Sequence, residues 1–173
     1  MNQVIVLVPL TVGATLAALP LVARDPREER VTGAVRVAGR ALFLAVALAL
    51  SFAKVAKAAH IASPGSPTLL LAVAPLAVIA AILLVLGLRR EKVDPLARGE
   101  AMLMVVALPA IYAGLSLEDG RGAMIVANLA IAYLGLGRIL RGRADGDRTL
   151  LGEGVVVVSA LVVARALELT RVV

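Results

Sequence analysis

Thirteen of the eighteen Lys and Arg residues of this chain fall in three short polar stretches, 24–40, 89–98 and 138–148, with long apolar runs between them. The connections at the other ends of those runs, 61–66 and 118–122, contain a single basic residue, Arg121. Basic connections alternating with charge-poor ones are the pattern by which a chain that crosses a bilayer repeatedly encodes its orientation. The pattern predicts an all-α, polytopic transmembrane helical bundle.

Composition agrees. Hydrophobic residues make up 61% of the 173 and mean hydropathy is +0.96, which leaves too little polar surface for a water-facing exterior. The net charge of +6 does not point to nucleic acid, because the few aromatic residues, Phe43, Phe52, Tyr112 and Tyr133, lie inside apolar runs rather than among basic ones. Absence of cysteine excludes disulfides, thiolate metal sites and Cys nucleophiles. One histidine, His60, cannot build a His-rich metal site, and no cofactor is expected.

A spanning helix needs roughly 20 mostly apolar residues. Six segments meet or approach this: 4–23, 41–60, 67–88, 101–117, 123–140 and 150–170. The sixth is interrupted by Glu153, Arg165 and Glu168; if it lay flat at the interface, five spans would remain. No basic residue precedes the first run, so it reads as a retained helix rather than a secretory signal. Lys and Arg number five, none, four, one and four over the successive connections, which places 24–40, 89–100 and 138–149 in the cytoplasm and both termini outside. The expected location is the cytoplasmic membrane of a prokaryote. No linker is long enough to divide the chain, so 1–173 forms one domain.

Helix starts are marked by a capping oxygen before proline at Asp25-Pro26, Ser66-Pro67 and Asp94-Pro95, with Asp119 and Asp147 as further caps. Residues 26–40 read as a helical extension of the second span or an amphipathic surface helix. Small residues recur at four-residue spacing at Gly13 and Ala17, at Ala45, Ala49 and Ala53, and at Ala110 and Gly114. Such stripes let helices approach closely in lipid, where packing rather than hydrophobicity drives association.

Ionisable groups within spans are candidate sites by default. Lys54, Lys57 and His60 recur every third residue along the outer half of the second span, and Arg165 and Glu168 lie at comparable depth in the sixth. Together they predict an outward-facing cationic pocket for an anionic headgroup or solute, partly neutralised by Glu168. Two structural readings compete with it: the cations snorkel to lipid phosphates, or Lys57 pairs with Glu168. Asn128 is expected to hydrogen-bond between helices. No catalytic triad, phosphate loop or metal-ligand spacing is present, and no carboxylate pair lies near mid-membrane, so neither an enzyme nor a proton-coupled carrier is expected.

From Asn128 to Glu168 the chain resembles the C-terminal part of certain multi-spanning bacterial membrane proteins of unassigned activity. These carry an Asn-containing helix, a glycine-rich basic loop, a Leu-Gly start and a last helix closing on Arg and an acid. Asn128, Gly135, Gly142, Leu151, Gly152, Arg165 and Glu168 carry the resemblance. It implies a membrane location and no particular activity. Three functions fit these readings: an accessory or scaffold subunit of a larger membrane assembly, with a protein partner or a homo-oligomer; a small transporter or channel; or an anionic-lipid-binding protein.

Overall fold

A computed structural model describes residues 3–22, 29–59, 67–89, 94–117 and 120–170, and every regular element among them is helical. The elements are α1 (Gln3–Ala18), a 3-10 turn (Leu19–Leu21), α2 (Glu29–Leu50), α3 (Ala53–Ala58), α4 (Pro67–Leu88), α5 (Pro95–Ser116), α6 (Arg121–Asp145) and α7 (Arg148–Thr170). Among the described residues, five helices, α2, α4, α5, α6 and α7, are long and apolar enough to cross a membrane. The first apolar helical stretch, Ile5–Leu21, is shorter than these. It closes in a 3-10 turn: Pro20 lacks an N–H, and Val22 N–H donates to Leu19 O at 3.1 Å. The sixth predicted span, weakest on composition, is one uninterrupted helix of 23 residues.

Of the predicted caps, two fall on described residues and both form. Asp94 accepts from the N–H groups of Leu96 and Ala97 at 3.2 and 3.3 Å, and Asp147 from those of Thr149 and Leu150 at 2.9 and 3.1 Å. The caps at Asp25, Ser66 and Asp119 lie outside the described residues. Helices α6 and α7 are joined through Gly146, whose φ of 70° suits glycine and closes a tight antiparallel hairpin. The predicted extension of the second span is real for residues 29–40, which are continuous with α2.

Helix α1 lies at the centre and packs against α2, α4 and α5, while α6 packs against α7, α5 and α2. Val6, Leu7, Leu10, Ala14 and Ala17 of α1 are buried in a core shared with Phe43 and Leu50 of α2, Met104 and Ile111 of α5, and Ile131 and Leu134 of α6. The α1–α2 crossing depends on two glycines. A Cβ on Gly13 would lie 2.8 Å from Gly39 O, and one on Gly39 would lie 2.7 Å from Ala17 N. Thr15 also reaches across to α4, donating to Leu76 O at 3.3 Å.

The second predicted span is not one helix. α2 stops at Leu50, Phe52 is extended (φ −85°, ψ 128°), and the chain restarts as the short α3. Ser51 Oγ donates to Leu48 O at 2.6 Å, while Glu168 of α7 accepts from Ala53 N–H at 2.6 Å and satisfies the restarted helix. A broken helix at membrane depth requires such substitute partners for its freed backbone groups.

Candidate functional site

The most heavily charged interior lies at the end of the bundle that holds the start of α5 and the α6–α7 turn. Arg40 of α2, Glu100 of α5, Arg138 of α6 and Glu153 of α7 form one network across four helices. Glu100 and Glu153 each follow a capping Asp by six residues, so each sits on the order of 9 Å into its helix. That spacing brings the two carboxylates to a common level, where Arg138 lies between them.

Arg138 donates from Nε to Glu100 Oε1 at 2.6 Å, and from Nη2 to the same oxygen; its Nη1 donates to Glu153 Oε2. Arg40 Nη2 donates to Glu153 Oε2 at 3.1 Å, but its Nη1 stands 3.9 Å from Glu100 Oε2, beyond hydrogen-bonding distance. Side-chain exposure falls from 42% at Glu153 through 13% at Arg40 and 8% at Glu100 to 3% at Arg138. Arg138 and Glu100 are therefore the pair taken furthest out of solvent. A buried pair of this kind is held by mutual compensation: removing one partner strands the other.

A cavity of about 270 Å³ opens beside the network. Arg36 and Arg40, one turn apart on α2, line one wall, and Glu100, Arg138 and Arg141 line others. Asp94, Asp145 and Asp147 complete the polar lining. A second cavity of about 430 Å³ between α1, α4 and α5 is walled mainly by Val73, Ala77, Leu108 and Pro109. Its Thr11 hydroxyl is already bonded to the carbonyls of Leu7 and Val8, so it presents little polar chemistry.

Of the residues predicted as an outer pocket, Lys54, Lys57, Arg165 and Glu168 lie at the opposite end. Arg165 Nη1 donates to Glu168 and approaches Met124 Sδ at 3.8 Å, and Glu168 also accepts from Ala53 N–H. The end of α7 is thus beside the start of α3. Glu168 is matched to Arg165 rather than to Lys57. Lys54 and Lys57 are exposed on α3 without an ion pair among the described residues, and His60 lies outside those residues. Arg165 retains buried Nε and Nη2 atoms with no hydrogen-bond partner. Asn128 is half-buried on α6, and its buried Oδ1 accepts no hydrogen bond.

Arg40, Glu100 and Arg138 stand at the borders of the basic connections 24–40, 89–100 and 138–149, and Glu153 interrupts the sixth apolar segment. Glu100 and Glu153 meet on Arg138 near the helix ends rather than at mid-span. A signal was present. The spacing Asp-x4-Gly-Glu occurs at Asp94–Glu100 and again at Asp147–Glu153, and all four network residues follow a glycine. Among the described residues, no group of three His, Cys, Asp or Glu is placed to hold a metal ion. No known family, curated protein or solved structure matches the chain.

Proposed function

We propose that this chain is a non-catalytic accessory or scaffold subunit of a membrane assembly, acting through helix–helix contacts in the bilayer. The observation that carries this reading is the outer face of α2. Ala34, Ala38, Ala41, Ala45 and Ala49 succeed one another at three- and four-residue steps and all are exposed, with Val31 and Val37 the large aliphatic residues exposed on the same helix, toward its start. The exposed faces of the peripheral helices differ: α4 presents Leu71, Val78, Ile79 and Ile82, and α7 presents Val155, Val156, Val162 and Val163. Large aliphatic side chains suit lipid tails, whereas a row of small ones lets a second helix approach closely. The stripe at Gly13 and Ala17 is already consumed inside the bundle, and the α2 stripe is not.

In this reading the bundle has six membrane-embedded segments, with α1 as the short central one. The basic connections face the cytoplasm of a prokaryotic cell, and both termini face outward. The partner is another membrane protein or a second copy of the chain.

Gentle detergent extraction followed by native mass spectrometry tests it. A reproducible hetero-complex or homo-oligomer should appear, and A41L/A45L should release it without lowering the melting temperature of the bundle. Recovery solely as a monomer under every gentle condition would refute the reading, as would a complex indifferent to A41L/A45L. One observation favours a small solute transporter as the second reading: the charged cavity inside the basic end of the bundle. That reading requires solute flux into proteoliposomes containing the chain alone.

A further inference from the structure

We infer that the cavity at the basic end binds a phosphate group, carried by an anionic lipid headgroup or by a free phosphate compound, between Arg36 and Arg40. The inference goes beyond the scaffold reading and does not depend on it.

The formal charges lining the cavity balance, but their commitments do not. Asp94 and Asp147 serve as helix caps, Asp94 accepting one backbone N–H on each oxygen and Asp147 two on Oδ1. Glu100 is taken by Arg138, and Asp145 by Arg141. On the cationic side, Arg138 has all three of its donor nitrogens engaged. Arg40 makes one hydrogen bond, to Glu153. Arg36 makes no ion pair or hydrogen bond among the described residues. The unmet demand is therefore for acceptor oxygens on the α2 wall.

Placement sharpens the chemistry. Arg36 and Arg40 stand at i and i+4 on one helix face, where like charges repel unless an anion lies between them. Two guanidinium forks converging on one space match the several oxygens of a phosphate better than the two of a carboxylate. The volume of about 270 Å³ falls slightly below the range usual for drug-sized ligands, so it suits a headgroup or a small phosphate compound. The cavity also lies near the helix ends, within reach of the headgroup layer. A bound phosphate would stitch α2 to the α5–α6–α7 side of the cavity, adding to the Arg40–Glu153 contact.

The test uses the full chain purified in a neutral maltoside detergent. Phosphatidylglycerol and phosphatidylcholine are compared by native mass spectrometry, and inorganic phosphate is compared with chloride of equal ionic strength by thermal unfolding. For the lipid source, phosphatidylglycerol should be retained about tenfold more strongly than phosphatidylcholine, and R36Q should weaken it about tenfold, the scale of one charge-assisted contact. For the free source, phosphate but not chloride should raise the melting temperature, and R36Q should remove the rise. R36K should keep part of either effect, because it retains the charge and loses the fork. K54Q, at the other end of the bundle, should change neither. Equal retention of the two lipids together with equal effects of phosphate and chloride would overturn the inference. So would selective binding that is unchanged in R36Q.

Discussion

Glu100→Ala is the substitution with the most definite energetic consequence. It removes two of the three hydrogen bonds made by Arg138, those from Nε and Nη2, and the closest countercharge of a guanidinium that is only 3% exposed. Breaking a buried pair from one side costs about 3–5 kcal/mol, because it leaves the surviving charge under-compensated, here with Glu153 as its remaining countercharge. Glu153→Ala removes hydrogen bonds from both Arg40 and Arg138, but Glu153 is 42% exposed and Arg138 keeps Glu100. Its expected cost is about 1–2 kcal/mol. Against a typical total stability of about 5–15 kcal/mol, E100A should remain folded while being clearly weakened. The assay is reversible unfolding in mixed micelles as the SDS fraction rises, with the cycle E100A, R138A and E100A/R138A measured in parallel. Coupling of about 2 kcal/mol or more is expected, and E100L/R138M should recover much of the loss, since an apolar pair of similar volume carries no desolvation cost. If E100A proves no worse than E153A, or the coupling falls below about 0.5 kcal/mol, the account of the network as a mutually compensated core is refuted.

Three further outcomes follow from single positions. Gly39→Val should destabilise by about 1–3 kcal/mol in the same assay, because its Cβ meets backbone atoms of Gly13 and Ala17 that cannot rotate away. Asp94→Ala should cost about 1 kcal/mol by uncapping α5, and Asp94→Asn should restore most of it, since the amide oxygen can still accept. Because the chain contains no cysteine, single cysteines report orientation directly: R143C should react with an impermeant maleimide only after cells are opened, and T170C in intact cells. The reverse result would invert the orientation read from the basic connections.

Much of the helix layout was legible because it is written locally. Asp94 and Asp147 cap where an Asp ahead of a helical pattern should. The break at Ser51-Phe52 was not legible, since neither glycine nor proline marks it and its backbone partner, Glu168, is 115 residues away in sequence. The buried network was hidden for a different reason. Charge counting assigns every Arg near an apolar run to orientation, yet the rule concerns which side a connection occupies and is silent on whether a side chain meets water or protein. Arg40 is the last cation of its stretch and Arg138 the first of its own, while Glu100 directly precedes an apolar run. Each of these border charges lies inside a helix that outlasts its apolar core by more than a turn, at a level where neighbouring helices have not yet diverged into loops. There a cation and an acid on adjacent helices can pair out of solvent, while Arg141 and Arg143, further along α6, are exposed. The charges counted for orientation and the charges that join helices thus belong to the same runs, and distance from the apolar border separates them.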